Sequence, residues 1–349
     1  LNAKLIFTVD CGTMSYEPLE YVYSKKIDLI VLDHHQSETK LPKAFSIVNP
    51  NRTDDESQLN YLCAAGVCFM FLVALNRGLR EKNWFKTNNI KEPDLIQFLD
   101  LVSLGTVCDV VPLIKLNRAI VKQGLKVFKS KKNLGIKTLL DICNVETFLT
   151  PYHLGYVLGP RINAGGRVGK CSHGANLLLT NNPKESFRIA SELNIFNDER
   201  KLLEKDLITL IMKKVEQEKD SPALILYGAN WHQGIIGIIA ARIKDKYNKP
   251  TIIISVEDDV GKASARSVVG FDIGAAIISA IDKNLLLKGG GHKMAGGFTI
   301  DMAKIKAFKD FIFKKLKLVN NISGVRKIMI DSEIAPTALN LEFYDKINI

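Results

Sequence analysis

A short strand–helix–strand spacing at the start of the chain most restricts its fold. Residues 4–9 form an apolar run of strand type, Tyr16–Ser24 carries helical spacing, and Asp28–Leu32 is a second apolar run. Two strands joined so closely through a helix lie parallel with a right-handed crossover, which puts the chain in the α/β class. Asp10-Cys11-Gly12-Thr13 follows the first run and Asp33-His34-His35 the second. Parallel strands release their C-terminal residues at one sheet edge, where open α/β folds bind ligands. Asp10 and Asp33 can therefore face one crevice. A carboxylate and two imidazoles in succession can hold a divalent metal, although a polar turn after a strand has the same composition. Residues 46–50 predict a third, shorter strand closed by a turn.

Helical apolar spacing recurs over residues 63–82, 93–104, 117–129, 135–143 and 151–158, with Pro93 suited to a first turn. Between two of these, Asp109 stands in the otherwise apolar stretch 103–113, where an ionised carboxylate needs a partner or a metal, or caps a turn. Residues 159–167 hold three glycines, Arg161, Arg167 and Asn163, and read as a loop. Glycines let a backbone approach a phosphate and guanidinium groups grip its oxygens, yet glycine-rich basic loops are common.

Asn182-Pro183 is a helix start, and the charged stretch to residue 219 has one apolar stripe, fitting one long helix or two in series. A second strand–helix–strand unit follows, at 223–227, 231–242 and 251–255, then the small basic segment 262–267. Residues 289–297 carry five glycines around His292 and Lys293, a cradle for an anion or simply a glycine-rich hairpin, and run into a strand at 298–300. A helix at 303–317 and a strand-like segment at 328–334 close the chain.

At 349 residues the chain exceeds what one core serves, so two domains and part of a third are expected. No apolar run reaches the roughly 18 residues of a membrane span, and the opening lacks a secretory signal. Cys11, Cys63, Cys68, Cys108, Cys143 and Cys171 are scattered without a Cys-x-x-Cys pair. That pattern predicts a reduced, cytoplasmic protein and excludes a disulfide framework and a thiolate zinc site. The net charge of +11 fits a polyanionic partner such as nucleic acid, as a lysine-rich composition alone also would. The chain opens without Met, almost inside a strand, which predicts truncation at the front.

Asp10, His34 and Asp109 can supply oxygen and imidazole ligands suited to Mn²⁺ or Mg²⁺. Two such ions about 4 Å apart would hold a phosphate and activate water for in-line attack. The chemistry implied is phosphoester hydrolysis, in which His35 can donate to a non-bridging oxygen.

Seven motifs occur in one characteristic order: Val9-Asp10-Cys11-Gly12, Asp33-His34-His35, Gly105-Thr106-Val107-Cys108-Asp109-Val110-Val111-Pro112, Gly159-Pro160-Arg161-Ile162-Asn163, Trp231-His232-Gln233-Gly234-Ile235-Ile236-Gly237, Ser264-Ala265-Arg266-Ser267 and Gly289-Gly290-Gly291-His292. In this the chain resembles the RecJ-type exonucleases of the DHH phosphoesterase superfamily, from residue 4 to about residue 335. The resemblance implies 5′→3′ degradation of single-stranded DNA to mononucleotides in repair and recombination. It makes Asp10, His34 and Asp109 metal ligands, brings His35 to the scissile phosphate, and has Asp33 orient a histidine. Arg161, Asn163 and Arg167 would line the DNA path. Ser264, Arg266 and His292 would hold phosphates, with the 5′-phosphate at Ser264 and Arg266.

The implied architecture is a parallel-sheet DHH domain (1–181), a helical connector (182–220), a smaller α/β DHH-associated domain of DHHA1 type (221–320) and the start of a truncated OB-fold (325–349). The family's first motif, an Asp-x-Asp on a preceding strand, lies outside the chain, so weak metal binding and weak activity are expected of it. Single-strand binding protein and a helicase are the partners implied, with a monomeric state. Two alternatives compete: a DHH phosphodiesterase of short oligonucleotides or cyclic dinucleotides, and a non-catalytic DNA-binding relative.

Overall fold

The computed structural model of the protein describes residues 3–130, 132–145, 149–319 and 330–347. Its contacts divide the chain into two units, one up to Leu203 and one from Glu204 onward.

In the first unit, β1 (Leu5–Val9), α1 (Tyr16–Ser24), β2 (Asp28–Leu32) and β3 (Ser46–Val48) form the expected crossover unit. The strands lie parallel in the order β1-β2-β3, with Val9, Leu32 and Val48 on one rung. Leu19, Leu29, Val31 and Ile47 are buried together between α1 and the sheet. Leu32 packs instead with Leu62 and Val67, so both faces of β2 are covered. Among the described residues β1 pairs on one side only, and its Leu5, Phe7 and Val9 are each about half exposed.

Helices make up the rest of this unit: α2 (Ala64–Glu81), the short α3 (Trp84–Thr87), α4 (Leu99–Cys108), α5 (Lys115–Phe128), α6 (Leu134–Ile142), α7 (Gly159–Val168) and α8 (Ser172–Leu179). Leu104, Phe128, Leu139, Leu154, Leu158 and Leu177 lie in one buried cluster. α5 crosses α4 at Gly124, where an added Cβ would stand 1.8 Å from Ser103 Oγ and 2.3 Å from the Leu99 carbonyl. Only glycine allows that approach.

Two sequence expectations need correction. Residues 159–167 are not a loop: a π-helical turn, His153–Leu158, runs directly into α7. Its glycines serve close packing, since a Cβ on Gly159 would stand 2.5 Å from Cys108 Sγ. Asp109, for which the sequence left a capping role open, is the C-terminal cap of α4. The strand expected at 328–334 falls partly outside the described residues. Among those described from 330 to 347 there is no strand, only a single 3₁₀ turn at Pro336–Ala338 and α13 (Leu341–Ile347).

The charged stretch after Asn182 is one helix, α9 (Pro183–Glu218), of 36 residues. Asn182 Oδ1 accepts from the Lys184 amide at 3.0 Å, which caps its first turn. The division between units falls within this helix, which the sequence reading treats as a connector over 182–220.

The second unit holds β4 (Leu224–Ala229), α10 (Gln233–Tyr247), β5 (Thr251–Glu257), β6 (Val260–Arg266), α11 (Ile273–Asp282), β7 (Lys288–His292), β8 (Ala295–Asp301) and α12 (Ile305–Lys317). Strand order is β4-β5-β6-β8-β7, with β4 and β5 parallel and the other pairs antiparallel. β5 is buried from Thr251 to Val256, as a strand covered on both faces must be. The glycine-rich segment 289–297 is the β7–β8 hairpin, so its backbone groups take part in sheet pairing.

Candidate functional site

Asp10, Asp33 and Asn49 are the residues after the Val9–Leu32–Val48 rung, and they leave the sheet at one edge. The Asp10 amide still donates to Leu32 O and the Asp33 amide to Val48 O, both at 3.0 Å, which fixes where the side chains start. Asp10 has φ of +60°, a left-handed conformation that Asp tolerates better than most residues. Gly12, at φ +122°, makes the turn that follows.

Asp33 is buried, 1% exposed, and its carboxylate is fully engaged. Oδ2 accepts from the Thr13 amide at 3.0 Å. Oδ1 accepts from the His34 amide at 2.8 Å and lies 2.7 Å from His35 Nδ1. Burial would raise the Asp33 pKa, but hydrogen bonds from His35, from the Thr13 amide and hydroxyl, and from His34 outweigh it and hold the carboxyl well below the ordinary range. Its stabilising contribution is therefore complete above about pH 4, the ordinary Asp value, and is lost as pH falls below it. Thermal unfolding followed by circular dichroism should show Tm dropping from pH 4 to pH 2. Asp33→Asn should be less stable at pH 7 and show a shallower acid drop; an identical profile would contradict this assignment.

His34 bridges two carboxylates. Its Nε2 lies 3.3 Å from Asp10 Oδ1 and its Nδ1 3.6 Å from Asp109 Oδ2. Burial pushes the Asp109 carboxyl above the ordinary range; His34 pulls against that and the Asp10 charge adds to it. Ligand atoms of Asp10, His34 and His35 all lie within 4.8 Å of one another. One carboxylate and two imidazoles converge there, and Asp109 stands at the other ring nitrogen of His34; oxygen and imidazole donors of this kind fit a divalent cation of Mn²⁺ type. The Cys108 thiol beside Asp109 is no ligand in this set: it donates to Leu154 O at 3.5 Å, and burial, helped by Asp109, pushes it up to about 11.

The remaining first-unit candidates separate from this cluster. Arg161 Nε donates to Asn194 Oδ1 at 2.8 Å and its Nη1 to Val157 O at 2.9 Å, so part of its guanidinium holds α7 to its surroundings. Asn163 is exposed on α7, and Arg167 is partly exposed in its last turn.

In the second unit, Arg266, Ala295 and His292 share one rung, and Ser264, Gly297 and Gly290 the next rung of the same parity. Ser264, Arg266 and His292 therefore lie on one sheet face, with small residues between them. Arg266 Nη1 donates to Ser264 Oγ at 3.2 Å, and burial lowers the guanidinium pKa. The first turns of α10 close over this pair: a Cβ on Gly237 would stand 3.0 Å from Ser264 Oγ and 3.3 Å from Arg266 Nη2. A guanidinium, a hydroxyl and a helix start make a binding site for an anion.

Family models match both units: a DHH family, N-terminal domain over residues 2–106 and a DHHA1 domain over residues 220–318. Both units of the chain are thus similar to domains of DHH proteins. The chain is 38% identical over 318 residues to the single-stranded-DNA-specific exonuclease RecJ of Escherichia coli, covering 88% of this chain and 55% of that one. The RecJ of Thermus thermophilus is 32% identical over 307 residues, covering 88% and 42%. Among solved structures, RecJ from Thermus thermophilus in complex with Mn²⁺ gives a TM-score of 0.77 at 29% identity, covering 90% of this chain and 45% of that one. An exonuclease RecJ bound to manganese gives 0.74 at 29% identity, covering 91% and 77%. The two-part α/β architecture of the RecJ type is thereby shown, and the chain spans about half the length of its first-named relative. No described helix is long and apolar enough to cross a membrane.

Two features of this DHH unit escape sequence reasoning. Asn49, 2% exposed, donates to Thr13 Oγ1 at 2.9 Å and to His35 O at 2.8 Å, tying the two strand exits together. Asn51 Nδ2 donates to His34 O at 2.6 Å. Both follow a short strand ending in Asn-Pro, which reads only as a turn. In the DHHA1 unit, Lys262 and Lys288 flank Thr299 on the next rung of the Ser264 face and add two exposed amines to it.

Proposed function

We propose that the chain is the catalytic part of a metal-dependent exonuclease that degrades single-stranded DNA 5′→3′ to mononucleotides in repair and recombination. The observation that carries this reading is His34 set between Asp10 and Asp109, with His35 oriented beside it by buried Asp33. The RecJ relatives named as single-stranded-DNA-specific exonucleases, and the manganese in their structures, support it.

Asp10, His34 and Asp109 would hold Mn²⁺ or Mg²⁺. A bound divalent cation supplies charge neutralisation at the phosphoryl oxygens and Lewis acidity toward the attacking water. His35 holds one proton toward Asp33 from Nδ1, which leaves Nε2 turned outward on a ring that is 55% exposed. From that side it can donate to a non-bridging oxygen as charge develops there. Ser264 and Arg266 hold the 5′-phosphate, His292 a neighbouring phosphate, and Arg161, Asn163 and Arg167 follow the strand. The protein would act in the cytoplasm as a monomer, beside single-strand binding protein and a helicase.

The test is release of mononucleotides from a 5′-phosphorylated, 3′-labelled single strand with Mn²⁺ and with chelator. Metal-dependent release of mononucleotides from the 5′ end, with duplex left intact, is expected. Faster turnover of di- and trinucleotides than of long strands would overturn the reading in favour of a short-oligonucleotide phosphodiesterase. Binding without any metal-dependent release, by this chain and by one extended upstream, would point to a DNA-binding relative instead.

A further inference from the structure

We propose that Tyr152 and Tyr156 form a stacking platform for the unpaired bases of a nucleic-acid strand. This rests on the exonuclease reading and adds to it a surface that contacts bases rather than phosphates. The two rings lie 5.2 Å apart between centroids, with 22° between their planes. They are 62% and 73% exposed, so burial in a core does not account for the pair. The backbone beneath them is fixed: Leu154 and Leu158 on the same turns are 0% exposed. Rings carried on an anchored segment lose little freedom when a base stacks on them.

Tyr156 lies in the π-helical turn His153–Leu158 and Tyr152 directly precedes it; such irregularities are frequent at functional sites. The turn packs on the end of α4, since Cys108 Sγ donates to Leu154 O at 3.5 Å and a Cβ on Gly155 would stand 3.3 Å from Val107 Cγ1. The next residue of α4 is its cap, Asp109. A base on the tyrosines is thus held within one packed element of the metal cluster. The chain's positive charge favours a polyanionic occupant, and every base has a face able to stack, so the platform needs no sequence preference.

The test is fluorescence anisotropy in chelator, using a labelled thymidylate strand of about twelve nucleotides and an abasic strand with the same number of phosphates. Tyr156→Ala should weaken thymidylate binding about tenfold. The double variant Tyr152→Ala/Tyr156→Ala should weaken it further, Tyr156→Phe should keep wild-type affinity, and none should change abasic binding. Unchanged thymidylate affinity in the double variant overturns the inference while leaving the exonuclease reading in place. Equal loss on both probes also overturns it, because the tyrosines would then act through folding or charge. Failure of the wild-type chain to bind either probe overturns this inference together with the reading beneath it.

Discussion

Asp109→Asn is expected to abolish metal-dependent cleavage while leaving the metal-free fold at least as stable as before. The carboxyl is pushed above its ordinary range by burial and by Asp10, so in the absence of a cation it is a cost to the fold. The amide keeps the shape and removes the charge. If Asp109 is the direct ligand proposed, its loss should exceed the roughly 10–100-fold that an outer partner of a metal site contributes. Isothermal titration with Mn²⁺, the mononucleotide assay and a thermal melt in chelator check the three parts separately. Binding of single-stranded DNA should stay close to wild type, because the basic groups are untouched. A lower melting temperature with parallel losses of cleavage and binding would make Asp109 a structural cap and nothing more.

Gly124→Ala is expected to have the largest effect on stability. Its Cβ would meet a side chain at 1.8 Å and a backbone carbonyl at 2.3 Å, and the carbonyl belongs to a helix that cannot yield locally. Ser103 offers no escape, because its hydroxyl lies at hydrogen-bond distance between the carbonyls of Leu99 and Ile120, 2.5 Å and 3.0 Å away. Overpacking of this kind costs about 3 kcal/mol or more. For a unit of this size that is a fall in Tm of roughly 6–12 °C. Since α4 ends at Asp109, Mn²⁺ affinity should fall as well, and a melt paired with a Mn²⁺ titration would show both. A loss under 1 °C would mean that the two helices separate freely.

Much of this was legible in the residues. Apolar runs ending in Asp10 and Asp33 specify parallel strands and bring those residues to one edge. His34 and His35 then take different partners, one Asp10 and Asp109 and the other Asp33, while their rings stay 4.7 Å apart between centroids. What was hidden depends on neighbours distant in sequence. A glycine-rich basic segment reads as a loop because glycine disfavours helices, yet at Gly159 the gain is contact with Cys108, fifty-one residues earlier. Asn49 looks like turn punctuation until β3 is seen to leave the same edge as β1 and β2. Tyr152 and Tyr156 have ordinary helical spacing, and nothing in a sequence says that both rings face water.

The protonated thiol of Cys108 has a consequence for which metals the centre accepts. A thiolate at that position would draw zinc, cadmium and other thiophilic ions toward Asp109 and lock them there. With its pKa near 11 the sulfur stays neutral in ordinary buffers. Engaged with the Leu154 carbonyl, it leaves oxygen and nitrogen donors to choose the ion.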